Sequence, residues 1–174
     1  MNKPRLVIAA LSLSAAGFVA IVVDEGYTDR AVVPTKNDRP TVGFGSTFRD
    51  DGSPVQMGDT ITPPKAVARS AAHIARDEAG LKACVTGPMT QGEYDVLVSF
   101  AYQYGAPATC RSSMVRHINA GRYAESCEAY LLYRFSGGYD CSVPGNRICA
   151  GVWKRNVERR AKCLESSEIS PQLR

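Results

Sequence analysis

Residues 6–23 read LVIAALSLSAAGFVAIVV, 18 positions without a charge. No other feature constrains this chain so strongly. As one helix the run would be roughly 27 Å long, just enough to cross a bilayer. The alternative is to bury it in a core. Ala, Ser and Gly fill eight of its positions, and such residues contribute little transfer free energy, so a bilayer would hold the run weakly. Lys3 and Arg5 precede it, and Asp24 and Glu25 follow it. That asymmetry keeps the N-terminus cytoplasmic and exports the rest. Three fates compete: a signal peptide cleaved near residues 12–16, a permanent anchor, or a weak anchor that later leaves the membrane.

About 150 residues remain after the run, enough for one domain with its own core. The chain is 22% charged and 44% hydrophobic, in the ordinary globular range. Its formal net charge of +4 suits approach to an anionic surface. With no block of basic residues, it gives no case for nucleic acid. Cys84, Cys110, Cys127, Cys141, Cys149 and Cys163 all follow the run. They make no C-x-x-C pair and no zinc spacing with His73 or His117. Behind an export signal they read as disulfides, with the pairing left open.

Residues 31–33 and 41–44 predict a hairpin around the turn formers of 34–40, and residues 55–57 a third strand. Gly43 and Gly45 within the second strand predict close backbone approach or a bend. Helices follow. Thr62-Pro63-Pro64 is a start signal. Thr90-Gln91-Gly92-Glu93 is a capping box, with the stop at Gly105. Further helices are expected over 112–119, 123–133 and 153–164, with a loop over 136–151. The basic face of Arg155, Arg159 and Arg160 reads as solvated, and Trp153, Tyr102 and Tyr104 as core. His73 and His117 read as solvated or capping. The class is α+β, a small β-hairpin lobe and a larger helical lobe, with a cleft between them as the natural site.

In order along the chain, Glu25-Gly26-Tyr27, Thr41-Val42-Gly43-Phe44-Gly45, Ser99-Phe100-Ala101-Tyr102-Gln103-Tyr104-Gly105, Arg116-His117-Ile118-Asn119-Ala120-Gly121-Arg122-Tyr123, Pro144-Gly145-Asn146-Arg147 and Arg155-Asn156-Val157-Glu158-Arg159-Arg160 resemble the phage lysozymes, glycoside hydrolase family 24. The weak apolar run resembles the signal-anchor-release segment of secreted endolysins. The resemblance implies a lysozyme-like fold with an N-terminal signal-anchor helix. It divides the chain into an anchor (1–23), a catalytic domain (24–165) and a disordered tail (166–174). It implies a muramidase that cuts peptidoglycan without metal or cofactor. Its partners would be peptidoglycan and the inner membrane, through residues 6–23, with no nucleic acid and a monomeric state. It would be exported to the periplasm and tethered there at first.

Glycoside hydrolysis needs one protonated carboxyl to donate to the leaving oxygen and a second group to manage charge and water. Glu25 is the expected acid, kept protonated by desolvation. The family pattern is Glu-x8-Asp/Cys-x5-Thr. Here fifteen residues separate Glu25 from Thr41, and the two ways of counting reach Pro34 or Thr35. Asp38 is the nearest hairpin carboxylate, with Asp29 as fallback. Against a functional role for Asp38 stands the turn aspartate that binds its own backbone. Thr41 would hold the attacking water. Tyr27, with Tyr102 and Tyr104, would line the cleft if not core. Ser46-Thr47 stand where the family usually has His, so any ion pair of that His is lost. A lytic transglycosylase, needing no second carboxylate, and a non-catalytic wall-binding module are the alternatives.

Overall fold

The computed structural model describes residues 4–34 and 38–167. The chain forms two compact units, Ala15–Asp77 and a second built from Met1–Ser14 with Glu78–Arg174.

In the first unit, helix α1 (Ala15–Glu25) leads into strand β1 (Thr28–Val32), which pairs antiparallel with β2 (Thr41–Gly43). The register places Thr28 opposite Gly43 and Val32 opposite Thr41, with an irregularity between. Ala31, Val42, Val55, Ile61 and Ala66 form the core of this unit, with Phe44 packed against it. The third strand expected over 55–57 is a single bridge, Phe48 to Pro54. Pro54 has no N–H, so the ladder does not propagate through it. Val55 still donates to the Thr47 carbonyl at 2.9 Å and supplies the expected apolar side chain. Helix α2 (Pro63–Lys82) starts where the Thr-Pro-Pro signal predicts.

The second unit is built around α3 (Gln91–Tyr104). Thr90 and Glu93 form the complete capping box, and Gly105, at φ 81°, closes the helix. Buried residues surround α3, among them Tyr94, Val96, Leu97, Val98, Phe100 and Ala101. A helix apolar on every side sits in the middle of its neighbours. Its main contacts are with α4 (Ala106–Cys110) and α7 (Ala150–Ser166), while α5 (Ser113–Asn119) packs on α6 (Tyr123–Glu128) and α6 on α7. Ser112 caps α5 by accepting from Val115 N–H. The helix expected over 123–133 ends at Glu128 and tightens into a 3₁₀ turn over Ala129–Leu132. The expected loop after it holds a two-residue hairpin, β3 (Phe135–Ser136) with β4 (Tyr139–Asp140). Phe100 stacks on Tyr104 at 4.4 Å and meets Tyr130 and Tyr133 edge-on at 5.6 and 4.8 Å.

All six cysteines pair, as Cys84–Cys110, Cys127–Cys163 and Cys141–Cys149. Cys127–Cys163 ties α6 to α7, and Cys141–Cys149 closes the loop before α7.

Three further expectations change. The apolar run is not one helix. It divides into a 3₁₀ turn (Ile8–Ala10), an extended stretch and α1. Leu13 N–H donates to Glu78 at 2.7 Å and Ser14 N–H to Asp95 at 3.0 Å. These carboxylates take donors that a continuous helix would have used internally. Among the described residues no helix is long and apolar enough to cross a membrane. Second, Arg159 is buried, not solvated. It donates to Gln103 Oε1 at 2.8 Å, Asn156 Oδ1 at 2.9 Å and the Ser99 carbonyl at 3.0 Å. Third, Ser166 ends α7 and both it and Ser167 are buried. Residues 168–174 of the expected tail lie outside the described residues.

Candidate active site

Glu25 is the last residue of α1. Gly26, at φ 69°, donates to the Val22 carbonyl at 3.1 Å. This left-handed stop ends the helix and turns the chain into β1. The Tyr27 hydroxyl then donates to the Ile61 carbonyl at 2.7 Å, and its ring meets Phe44 at 5.5 Å. Tyr27 therefore fastens the Glu-Gly-Tyr corner to the hairpin and to the start of α2.

The two glycines of Thr-Val-Gly-Phe-Gly have separate uses. A Cβ at Gly43 would stand 3.0 Å from Ala66 Cβ, so this glycine lets the strand lie against α2. A Cβ at Gly45 would stand 3.0 Å from Glu25 Oε2. Position 45 thus gives the half-buried carboxyl its seat. Both glycines have positive φ, 69° and 75°.

Thr41 is half-buried in β2, opposite Val32. Its hydroxyl lies 3.5 Å from the Val32 carbonyl, at the weak limit of a hydrogen bond. Asp38 is exposed, and its Oδ1 accepts from the Arg39 N–H at 2.8 Å, the local bond of a turn aspartate. Residues 35–37 of the hairpin, including Thr35, lie outside the described residues. Asp29 is exposed on β1. The structure brings together Glu25, Tyr27, Phe44 and Gly45. It keeps Thr41 on the paired strand and leaves Asp38 at the surface.

A charged pocket of about 350 Å³ in the same unit was not anticipated from sequence. Arg49, Asp50, Asp59 and Arg69 line it and pair with each other. Arg49 binds both oxygens of Asp59 at 2.7 Å, and Arg69 binds Asp50 at 2.6 Å. The Arg49 hydrogen bond holds the Asp59 carboxyl down at about 2. No spacing rule links Arg49 with Asp59, because loop closure creates that pair. On α2, His73 sits 3.4 Å from Asp77 and is lowered by burial, opposed by that carboxylate. His117 Nδ1 accepts from Arg122 Nε at 3.1 Å.

An α+β architecture with a carboxyl held at the junction of a helix and a glycine-bearing hairpin defines a lysozyme-type class. The Phage lysozyme family profile matches residues 23–161. The endolysin of Salmonella phage P22 is 28% identical over 127 residues, covering 73% of this chain and 86% of the relative. The endolysin of Bacillus phage B103 is 29% identical and covers 92% of this chain, which spans only 57% of that relative's length. Among solved structures, the endolysin from Escherichia coli O157:H7 phage FAHEc1 superposes with a TM-score of 0.76 at 30% identity, covering 90% of this chain and 96% of that one. The chain belongs to the phage lysozyme family and is a glycoside hydrolase of muramidase type.

Proposed function

We propose that this protein is an endolysin that hydrolyses the β-1,4 bond between N-acetylmuramic acid and N-acetylglucosamine in peptidoglycan. It would act from the periplasmic side and lyse the host cell. The observation that carries the reading is the seat of Glu25 on Gly45, within the region that matches the family. Glu25 is the general acid that protonates the leaving oxygen. Thr41 holds the attacking water from the paired strand, and Asp38 assists as the second carboxylate.

The N-terminal segment first tethers the protein to the inner membrane through residues 6–23. Residues 24–165 form the catalytic domain. The sequence supports the tether through its charge asymmetry and its weak apolar run. The fold adds that Glu25 closes the helix made by the second half of that run. While the run spans a bilayer, Glu25 stands two residues from the lipid, where α1 is not joined to the hairpin as it is here. Release completes the site.

One observation favours a second reading. Asp38 is exposed and engaged by its neighbour's backbone, which suits a reaction needing one carboxylate, as in a lytic transglycosylase. Digestion of purified peptidoglycan separates the two by product mass. Hydrolysis leaves reducing muramic ends, whereas transglycosylation leaves anhydro sugars and refutes the muramidase reading. For the tether, full-length protein should fractionate with inner membranes before lysis. A protein found only in the soluble fraction refutes it.

A further inference from the structure

Glu93 lies in the first turn of α3 and is only 4% exposed. Its Oε2 accepts from the Thr90 N–H at 2.8 Å. Its Oε1 accepts from Arg5 at 2.7 Å and from the Ser167 hydroxyl at 2.5 Å. Arg5 comes from the opposite end of the chain, and its guanidinium also lies 3.8 Å over the Tyr123 ring. Beside this pair, Leu6 and Met89 exchange two backbone hydrogen bonds of 2.8 Å. Further on, Gln91 binds the Ser12 carbonyl, Leu13 N–H binds Glu78, and Ser14 binds Asp95 through both N–H and hydroxyl. Three carboxylates, Glu78, Glu93 and Asp95, thus receive residues 5–14.

We infer that Arg5 is a charge with two alternative positions and that Glu93 is its receptor in the released enzyme. This rests on the proposed tether. Arg5 precedes the apolar run, so in a spanning state it stays on the cytoplasmic side, a bilayer thickness from the exported body. It cannot then reach Glu93. A buried carboxylate deprived of its cation is strongly destabilising, so the tethered body lacks a contact that the released body has. The charge that resists exit from the membrane becomes the charge that locks the released form, because its new partner lies under Tyr123 and Ser167 and not in water.

The test uses the full chain with Arg5→Met, Glu93→Gln and both together. Gln at position 93 keeps the capping-box pattern but also alters the bond to Ser167, so the coupling measured in the double variant reads the ion pair, not either single loss. In purified soluble protein, each single change is expected to lower Tm by several degrees. The double variant should fall no further than the worse single one, the signature of a coupled pair. In cells, Glu93→Gln should raise the membrane-bound fraction several-fold and delay lysis. Additive Tm losses, with Glu93→Gln distributed as wild type, overturn the latch while leaving a membrane-bound wild type as tethered. A wild type wholly absent from membranes overturns the tether and, with it, the second position of Arg5.

Discussion

Glu25 Oε2 and Gly45 approach so closely that a side chain of even one carbon at position 45 would press on the carboxyl, at 3.0 Å. The Gly45 φ of 75° adds backbone strain for any L residue. Gly45→Ala should therefore displace the proposed acid while sparing the rest of the fold. Misplacing a catalytic group by about 1 Å can cost on the order of 100-fold in rate. The Glu25 carboxyl need give by less than that, so we expect a smaller loss in peptidoglycan clearing, roughly 3–10-fold, with far-ultraviolet circular dichroism unchanged and a stability loss of about 1–2 kcal/mol. Clearing at the wild-type rate would show that Glu25 does not depend on this seat.

Gly87 makes a closer approach with no flexible partner. A Cβ there would stand 2.2 Å from the Ile118 carbonyl oxygen at the end of α5. Relief requires the backbone to move, because neither group can rotate away. Gly87→Ala should destabilise by about 1–3 kcal/mol, readable as a lower urea midpoint at unchanged slope.

The three disulfides close loops of different length. Their sequence separations are 36 for Cys127–Cys163, 26 for Cys84–Cys110 and 8 for Cys141–Cys149. Chain-entropy reasoning gives about 4 kcal/mol for the longest and about 2.5 kcal/mol for the shortest. Paired Cys→Ser variants should rank in that order in thermal unfolding. Loss of Cys127–Cys163 should cost most, since it also ties α6 to α7.

Burial lowers the His73 pKa below its ordinary 6.5, with Asp77 opposing the shift. The unfolded chain then binds a proton more readily than the folded one as pH falls below 6.5. Stability from this site is full above 6.5 and is lost as pH falls toward the lowered folded value. His73→Gln should flatten the pH dependence of Tm across that window. Wild type and variant falling in parallel would refute the assignment.

Much of the fold is local in origin and was legible for that reason. Thr90 with Glu93, Ser112 and Gly105 each act through backbone groups within four residues, so their chemistry appears in the sequence itself. The Thr-Val-Gly-Phe-Gly pattern announced close approach at Gly43 and Gly45, but not what approached. Long-range partners were hidden. The apolar run looked continuous because Glu78 and Asp95, which take its N–H groups at Leu13 and Ser14, lie more than sixty residues away. Helix α4 leaves little periodicity in the sequence because it is one short turn with Pro107 in its first positions. Arg159 read as solvated from its type alone. Its spacing from Asn156 and Cys163, three behind and four ahead on the buried face of α7, carried the better signal. For the second carboxylate, the extra residue between Glu25 and Thr41 broke the spacing at the hairpin, where turn geometry decides which side chain points where.

The proposed chemistry depends most directly on Glu25. The decisive measurement is the rate at which purified Glu25→Gln clears a peptidoglycan suspension, compared with wild type at equal folded concentration. The substitution keeps size and polarity but removes the transferable proton. The proposal predicts loss of essentially all clearing, a fall of at least 100-fold, the lower range for removing a general acid, with Tm close to wild type. Clearing within a few-fold of wild type by a folded Glu25→Gln would contradict it.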